Sequence, residues 1–445
     1  MQGHLPNQQQ RSFLYQTLAE TLNPREPLYQ LANQIPWEEF EREFRGLYSD
    51  HGCPAKPIRL MVGLHILKWL YDRGDETVVA DWVQNPYWQY FCGEREFQWK
   101  FPVEPSDMVH FRKRIGERGV EKILQVSVKL HGKRAQEATV VIDTTVQEKD
   151  ITFPTDAKLH RKVIERCWGI AEAEEVPLRQ SYRRTVKRLV RTQGQRLTKR
   201  NAKLIRGARR KLRTIGGRLV RELRRKLPPA AQEAYQEQWA LFERVLAQRR
   251  EDKDKIYSLH EPQAYCISKG KEHKPYEFGS KVSLAMTKNS GVIVGVANME
   301  KNVYDGGTLR AVLRSCRRLR GRLPQLALTD KGFRGQETVY WTKIVTPGKP
   351  GKDRSAAEKA RYRSWFRRRA AIEPLIGHMK HDFRLGRNYL SGSIGDAMNL
   401  MLAAAAWNFK KLLRKLRFIF FYILWLLKNE KVWLLNHPQP CSITH

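Results

Sequence analysis

Several features that mark common protein classes are missing from this sequence of 445 residues. The six cysteines lie far apart and form no C-x-x-C pair, which argues against a zinc knuckle or a disulfide framework and fits a reducing cytosol. No G-x-G-x-x-G or G-x-x-x-x-G-K-[ST] phosphate loop is present, so a nucleotide-driven motor is disfavoured. The polar N-terminus has no apolar core typical of a signal peptide, and we do not expect export.

A long apolar run is also missing. Residues 418–427 are continuously apolar, but ten residues are about half of the roughly 20 that a membrane span needs. We expect this segment to be a buried helix or an interface, packed on the rest of the chain or in a dimer, without membrane contact.

Acidic residues are few for the size of the chain. The 46 acids stand against 82 lysines and arginines, so the formal net charge is +36. Such a field attracts polyanions, which makes nucleic acid the leading partner. An RNA-bound structural protein would show the same imbalance, so charge alone does not distinguish DNA from RNA.

Half of this net charge lies in residues 181–227, which contain 19 lysines and arginines and one acid, Glu222. Apolar residues recur there three, four or seven positions apart, which predicts amphipathic helices that we expect to break at Gly216-Gly217. The pattern favours an arm that contacts DNA phosphates over a purely structural hairpin. Such contacts position DNA without reading its sequence.

The remaining patterns predict helices first and a sheet later. Helical periodicity covers residues 28–48, 57–72 and 76–83, and Ser106 is placed to cap a helix that carries Arg112, Lys113 and Arg114. That basic helix either lies on DNA or is a solvated surface helix. Strands are predicted at 138–143 and 150–154, in a hairpin at 281–286 and 292–296, and at 326–329, with a helix after Gly306-Gly307.

Three carboxylates stand out within this order. Asp143 and Asp330 each follow a short apolar run, and Glu373 lies on a helical stretch. Taken singly, each acid is more often structural, but two strand ends and one helix can bring three carboxylates to one rim of a sheet. Oxygen ligands of this kind suit two Mg²⁺ ions, with Mn²⁺ as a substitute, for phosphodiester cleavage or strand transfer.

Basic side chains accompany Glu373. Arg369 and Lys380, four residues before it and seven after it, are expected near its face of one helix, where they would neutralise phosphate. His378 and His381 offer a competing zinc reading, which the missing cysteine partner and the arginine-rich surroundings disfavour.

Three stretches resemble the bacterial insertion-sequence transposases of the DDE type, and most closely the insertion-sequence family five group. They are Val141-Ile142-Asp143-Thr144-Thr145 with the residues up to Asp156, Asp330-Lys331-Gly332-Phe333-Arg334-Gly335, and residues 368–380. The family's tyrosine, arginine, glutamate and lysine signature corresponds to Phe366, Arg369, Glu373 and Lys380. Phe366 departs from it, because the ring is kept for packing or base stacking while the hydroxyl is lost.

The resemblance implies an RNase H-like catalytic core in which Asp143, Asp330 and Glu373 bind two metal ions. It also implies cleavage at the terminal inverted repeats of a mobile element and joining to target DNA. Arg334, Arg369, Lys380 and Phe366 are then expected to contact DNA, together with Arg112 and Arg114 of an N-terminal DNA-binding region. A homodimer on double-stranded DNA, in the cytoplasm at the nucleoid, is the expected assembly.

The fold class expected from all of this is mixed α/β. An all-α N-terminal DNA-binding domain precedes an RNase H-like core that a basic helical insertion interrupts. The expected segments are 1–135 for the N-terminal domain, 136–167 and 256–395 for the core, 168–255 for the insertion and 396–445 for a C-terminal helical tail.

Three other functions stay open at this point. A transposase-derived regulator would bind DNA without catalysis, and a structure-selective nuclease of the same fold would cut DNA without joining it. The third, an RNA-bound structural protein, explains the charge but leaves the three carboxylates as a coincidence.

Overall fold

The computed structural model describes residues 17–49, 51, 54–249, 251–268, 275–348 and 355–436, with the backbone alone for 419–436. The chain forms two compact units. The first comprises Met1–Gln147, Lys281–Met299 and Val303–His445, and the second comprises Glu148–Ser280 and Glu300–Asn302.

The N-terminal part of the first unit is helical, as predicted. Helices α1 to α7 span Leu18–Thr21, Pro27–Gln34, Trp37–Phe44, Ile58–Leu70, Asp75–Gln84, Pro86–Phe91 and Pro105–Lys129. The single helix expected at 28–48 is two helices, because Pro36 lies between α2 and α3 and has no N–H to continue the ladder. Helix α4 is central to this region, since every one of its residues except Arg59 is buried.

Strand β1, Thr139–Glu148, connects this region to the second unit, whose helices α8 to α12 span Asp156–Ala173, Arg183–Gln193, Ala202–Lys226, Pro229–Ala234 and Gln236–Ala247. These helices share their own hydrophobic core, to which α8 contributes Val163 and Ile164. The boundary expected between residues 167 and 168 therefore falls inside a helix that packs with the basic ones. The strand expected at 150–154 is absent from this described segment, and Thr155 directly after it caps α8 with its hydroxyl oxygen.

Helix α10 runs through Gly216-Gly217 without the expected break. A Cβ atom on Gly216 would lie 3.1 Å from Leu246 Cδ2, so the missing side chain allows close packing against the α12 segment. Gly216 therefore serves helix packing here, and the conformational freedom of glycine is not used.

The other strands form one mixed sheet with β1. Strands β2 to β4 span Tyr265–Ser268, Tyr276–Thr287 and Ile293–Met299, helix α13 spans Leu309–Arg320, and strands β5 to β7 span Leu326–Leu328, Thr338–Val339 and Thr342–Val345. The strand order is β2-β3-β1-β5-β7-β6, and β4 also pairs with β3. Strands β1, β5 and β7 are parallel, and the predicted hairpin of β3 and β4 is confirmed as antiparallel.

The chain continues with α14, α15 and α16, which span Ala356–Arg369, Ile372–Asp382 and Gly392–Asn436. The first half of α16 packs against α4, α7 and β4, and the alanines at 403–406 are buried. Asn408 joins this helix to the sheet, because its side chain both accepts from Ile293 N and donates to Ile293 O at 2.9 Å. Residues 398–413 are thus part of the main core and not of a separate tail.

The expected burial of the apolar segment 418–427 falls almost entirely outside the residues whose side chains are described. Within the part of the chain that the structure covers, no helix combines the length and the apolar character needed to cross a membrane.

Candidate active site

The pairing of β1 with β5 places two of the three expected carboxylates side by side. Val141 lies opposite Leu328 in the parallel register, and Asp143 and Asp330 each follow two residues later. A step of two residues returns a side chain to the same face of a strand, so the two carboxylates start from equivalent positions on neighbouring strands. Asp143 lies within β1 and not at its end, since this strand extends to Glu148.

Asp143 is mostly buried, with a side chain that is 16% exposed. Burial raises the pKa of Asp143 to about 6, and the negative charges of Asp330 and Asp305 add to the rise. The Thr144 N–H and the Arg369 guanidinium act in the opposite direction. Carboxylates at this point of the sheet therefore repel one another, as a site built for a cation requires.

A tight turn holds Asp330 in place. Its Oδ1 accepts a hydrogen bond from Gly332 N at 2.9 Å at the start of the 3₁₀ turn Lys331–Phe333. A Cβ atom on Gly332 would lie 2.5 Å from Asp305 Oδ2 and 3.1 Å from Asp330 Oδ1. Glycine is thus required between two carboxylates that lie close to each other.

Asp305 is a fourth acid at this site, and no sequence pattern predicted it. It begins the 3₁₀ turn Asp305–Thr308 before α13, where its Oδ1 accepts from Thr144 Oγ1 at 2.8 Å and lies 3.3 Å from Lys281 Nζ. No apolar run precedes Asp305, so the pattern that identified Asp143 does not apply to it. The signal that was present is an acid directly before Gly306-Gly307 at a helix start.

Arg369 connects the third carboxylate to the first. One guanidinium nitrogen lies 3.1 Å from Glu373 Oε1 and another lies 3.7 Å from Asp143 Oδ2. Arg369 is 17% exposed, whereas the Glu373 side chain is 63% exposed. Glu373 therefore lies at the open side of the site, with Arg369 between it and the sheet.

The helix expected to carry both residues is two helices. Arg369 ends α14, and Glu373 is the second residue of α15. The junction is tightened by hydrogen bonds from Ala371 N to Arg368 O and from Glu373 N to Ala370 O, each spanning three residues. The contact between Arg369 and Glu373 still joins residues four positions apart.

The carboxylates fit a divalent metal ion in part. Asp143 and Asp330 supply the oxygen donors that hard cations prefer, on adjacent strands. Among the residues that the structure describes, no group of three or more His, Cys, Asp or Glu side chains is close enough to hold an ion. Glu373 accepts a hydrogen bond from Arg369, and this hydrogen bond would have to break before Glu373 could bind an ion together with the other two carboxylates.

The two histidines considered as zinc ligands, His378 and His381, contact a different acid. His378 Nδ1 and His381 Nδ1 each lie 2.8 Å from an oxygen of Asp382. Lys380, on the same helix, is half-buried, and Arg334 is exposed directly after the turn that holds Asp330.

Phe366 is half-buried on α14, and its ring lies 4.7 Å from that of Tyr362. The Tyr362 hydroxyl, one helical turn earlier, donates to Thr346 O at 2.8 Å and accepts from Gly348 N at 2.9 Å. A tyrosine hydroxyl is thus present close to Phe366, but it is bonded to the loop after β7.

Arg112 does not occupy the surface position that its expected DNA contact needs. It is 5% exposed, and both terminal nitrogens donate to the Asp75 carboxylate at 2.7 Å. This placement contradicts the expected contact with phosphate and assigns Arg112 to the interior of the helical region. Arg114 is exposed and stacks on the Tyr48 ring at 4.7 Å.

Two families of known proteins match parts of this chain. Residues 16–114 match the family described as Transposase domain (DUF772), and residues 247–409 match the family described as Transposase DDE domain. The second match contains Asp330 and Glu373, and Asp143 lies outside both matches.

A curated relative matches the chain as well. The uncharacterized protein ORF8 in the nfe locus of Rhizobium meliloti is 42% identical over 193 residues, which are 42% of this chain and 93% of the relative. No solved structure matches. Since the two family matches cover the helical region and the segment with Asp330 and Glu373, the chain belongs to the insertion-sequence transposases of the DDE type.

Proposed function

We propose that this DNA transposase cleaves the ends of an insertion sequence and joins their 3′-hydroxyls to target DNA, with Asp143, Asp330 and Glu373 as the metal-binding residues. The register of β1 and β5 carries the proposal, because it brings two acids from distant sequence positions to neighbouring positions of one sheet. The buried, repelling carboxylates and the adjacent Arg369 give the site the charge pattern that phosphodiester chemistry needs.

We further propose that the sheet is an RNase H-like core, and that the chain falls within the insertion-sequence family five group. The path β4-β3-β1-β5-β7, with α13 between β4 and β5, supports the first point. Asp143 lies on one of its two central parallel strands, and Asp330 follows the other by two residues. The motif residues around Asp330 and from Phe366 to Lys380 support the second.

Transposases of the DDE type use divalent metal ions, and we propose Mg²⁺, with Mn²⁺ as a substitute. When bound, the ions activate the attacking water or 3′-hydroxyl and stabilise the leaving oxygen. The chain's own residues prepare this chemistry. Thr144 and Lys281 fix Asp305, Gly332 N–H fixes Asp330, and Arg369 neutralises Asp143 and Glu373 until DNA is present.

The same groups would receive the DNA backbone. Arg369 can exchange its carboxylate partners for a phosphate, to which a guanidinium bonds in bidentate geometry. Lys380 lies on the helix that carries Glu373, and the exposed Arg334 directly follows the turn that Asp330 begins, so we propose that both contact phosphates near the cut.

The second unit offers a separate surface for the backbone. A groove of about 1030 Å³ is lined by Arg179, Gln180, Tyr182, Arg218, Arg221, Glu222, Arg224, Arg225 and Lys226. Its acid, Glu222, accepts from Arg179 N at 2.6 Å and from Lys226 Nζ at 2.8 Å, so it is used within the unit. We propose that this groove contacts phosphates without reading sequence.

A homodimer on double-stranded DNA is proposed as the active assembly, because two element ends must be joined in one reaction. We propose the cytoplasm, at the nucleoid, as its place of action.

The decisive experiment combines labelled DNA bearing the element's ends with a supercoiled plasmid, in Mg²⁺ or in EDTA. We expect Mg²⁺-dependent end cleavage and joining by the wild type and by Glu337→Gln, an exposed acid at the sheet edge, and none by Asp330→Ala. Cleavage without joining would indicate a nuclease. Equal binding by all three proteins without cleavage would indicate a regulator, and stronger competition by structured RNA than by duplex DNA would indicate an RNA-bound protein.

A further inference from the structure

The first unit contains a small basic cavity that none of the motifs above includes. Its volume is about 150 Å³, and it is lined by His131, Arg134, Ser290, Val292, Lys411, Arg414 and Lys415. Four of these side chains are cations, and none is an acid. A concave site of this composition favours an anion.

Three elements of the fold build the cavity. Lys411, Arg414 and Lys415 are three and four residues apart on α16, so they share one face of that helix. Arg134 comes from the 3₁₀ turn Gly132–Gln136, and Ser290 comes from the turn between β3 and β4.

The frame around these side chains is fixed. Trp407 Nε1 donates to Gly291 O at 2.9 Å, which holds α16 against the β3–β4 turn. A ring nitrogen of His131, Nε2, lies 3.1 Å from Asn408 O, which connects the end of α7 to the same helix. The cations therefore converge on a preformed space and not on a flexible surface.

The positive charge in this cavity is not neutralised within the described part of the chain. The structure shows no ion pair there for Arg134, Lys411, Arg414 or Lys415. Burial lowers the pKa of Lys411, and the charges of Arg414 and Arg134 lower it further. Glu137 contacts the adjoining turn, where its carboxylate accepts hydrogen bonds from Asn289 N and Ser290 N at 2.8 Å. These bonds occupy the carboxylate at the turn.

We infer that this cavity binds one phosphodiester group of the DNA backbone. A volume of about 150 Å³ is many times the roughly 10–15 Å³ that a single water molecule needs, so the cavity has room for a phosphate group. Charge complementarity identifies the occupant as the DNA that the proposed function requires, so the inference rests on that function.

The cavity is distinct from the active site. Lys288 N, next to the β3–β4 turn, donates to Thr139 O at the start of β1, and Asp143 lies four residues further along this strand. At about 3.3 Å per residue, the turn and the carboxylates are separated by about 13 Å along the strand. The phosphate in the cavity is therefore not the one being cut, and its contact sets the position of the duplex on the protein.

The test measures binding of end-bearing duplex DNA in EDTA, as a function of salt, for Arg414→Gln and for Lys411→Gln with Arg414→Gln. The slope of log K against log salt is negative, and removing a single phosphate contact is expected to make it shallower by about 0.9. The loss of affinity between 50 and 200 mM salt then becomes about 3.5-fold smaller. Arg417→Gln is the matched control, because Arg417 lies on α16 and does not line the cavity.

Unchanged slopes in both cavity variants, or an equal change in Arg417→Gln, would overturn the inference. Loss of dimer in sedimentation, with DNA binding intact, would also overturn it in favour of a second copy as occupant. Thermal unfolding of each variant confirms that it is folded. Because EDTA prevents cleavage, the binding experiment is independent of catalysis. A shallower slope in the cavity variants supports phosphate binding in the cavity even if the separate Mg²⁺ assay shows no transposition. Cleavage in Mg²⁺ with unchanged slopes refutes only phosphate binding in the cavity.

Discussion

Arg369 shows at the scale of single residues how the negative charge of the site is balanced. Its guanidinium lies between Asp143 and Glu373 and supplies the positive charge that the two carboxylates lack. Despite this positive charge, burial and the nearby acids make the ionisation of Asp143 less favourable in the folded protein than in the unfolded chain. The site is therefore arranged for catalysis at a cost to the stability of the folded protein.

Asp143→Asn is expected to stabilise the protein in EDTA above pH 6 while abolishing cleavage. The pKa of Asp143 is about 6 in the folded chain against an ordinary value of 3.8, so the folded state loses stability as pH rises from about 4 to 6. The amide removes this penalty, which is at most about 3 kcal/mol for two pKa units. Thermal unfolding at pH 7.5 and at pH 4 measures it.

The gain in melting temperature should be full at pH 7.5 and much smaller at pH 4, where the folded carboxyl is protonated and the unfolded one is about half protonated. An equal gain at both pH values would show that packing, and not charge, is responsible.

Asp305→Asn is expected to weaken the response to Mg²⁺ without unfolding the chain. Asp305 accepts a hydrogen bond from Thr144, the neighbour of Asp143 in the chain, and pairs with Lys281. Residues in such supporting positions change metal affinity or activity by about 10 to 100-fold. The measurement is the Mg²⁺ concentration that gives half-maximal end cleavage.

A purely structural role for Asp305 would lower the melting temperature and leave the half-maximal Mg²⁺ concentration unchanged. Glu337→Gln, which removes an exposed acid at the sheet edge, serves as the control and should shift neither quantity.

At the scale of elements, α4, α5 and α7 are joined by one charged cluster. Asp75 at the start of α5 accepts from Lys68 at 2.8 Å and from both terminal nitrogens of Arg112 at 2.7 Å. Burial alone would raise the pKa of Asp75, but the hydrogen bond from Arg112 and the charges of Lys68 and Arg112 hold it below its usual range. The basic residue expected on DNA is thus a structural one.

Asp75→Asn is expected to destabilise the protein at pH 7 by about 3 kcal/mol, because it leaves two buried cations without their counter-charge. Since the folded pKa is lowered, the stabilisation is complete above about pH 3.8 and is lost as pH falls below that value. The difference in melting temperature from the wild type should therefore narrow below about pH 4.

Asp81→Asn provides the matched control on α5, because its pair with Arg73 is 38% and 46% exposed. That pair should contribute under about 1 kcal/mol. A pH-independent difference for Asp75→Asn would contradict the assignment.

The elements also show what the sequence could and could not predict. A short β-branched run predicted the start of β1, and two β-type runs around a turn predicted the β3–β4 hairpin; both predictions are confirmed. The polar end of β1 was not predicted, because a residue such as Gln147 is satisfied only by tertiary contacts, here with Asn399 and Asp396. Asp330 could be selected from its strand, whereas Asp305 becomes visible only once Thr144 and Lys281 are folded around it.

At the scale of the whole molecule, net charge explains affinity and not specificity. The second unit carries residues 181–227 with half of the chain's net charge, and it has its own core. The proposed groove exposes Arg221 and Arg225, for which the described part of the chain shows no ion pair, although the charge of Arg225 helps to lower the pKa of Glu222. A surface of this kind attracts any duplex equally.

The double variant Arg221→Gln with Arg225→Gln is therefore expected to weaken binding to end-bearing and unrelated duplexes by the same factor. Each lost phosphate contact should make the negative slope of log K against log salt shallower by about 0.9, so the double variant should make it shallower by about 2. Fluorescence anisotropy over 50 to 200 mM salt measures both quantities. Arg244→Gln, an exposed arginine on α12 outside the groove, is the control. A loss confined to the element's own ends would mean that the groove reads sequence, and an unchanged slope would place the phosphate contacts of this unit elsewhere on its basic helices.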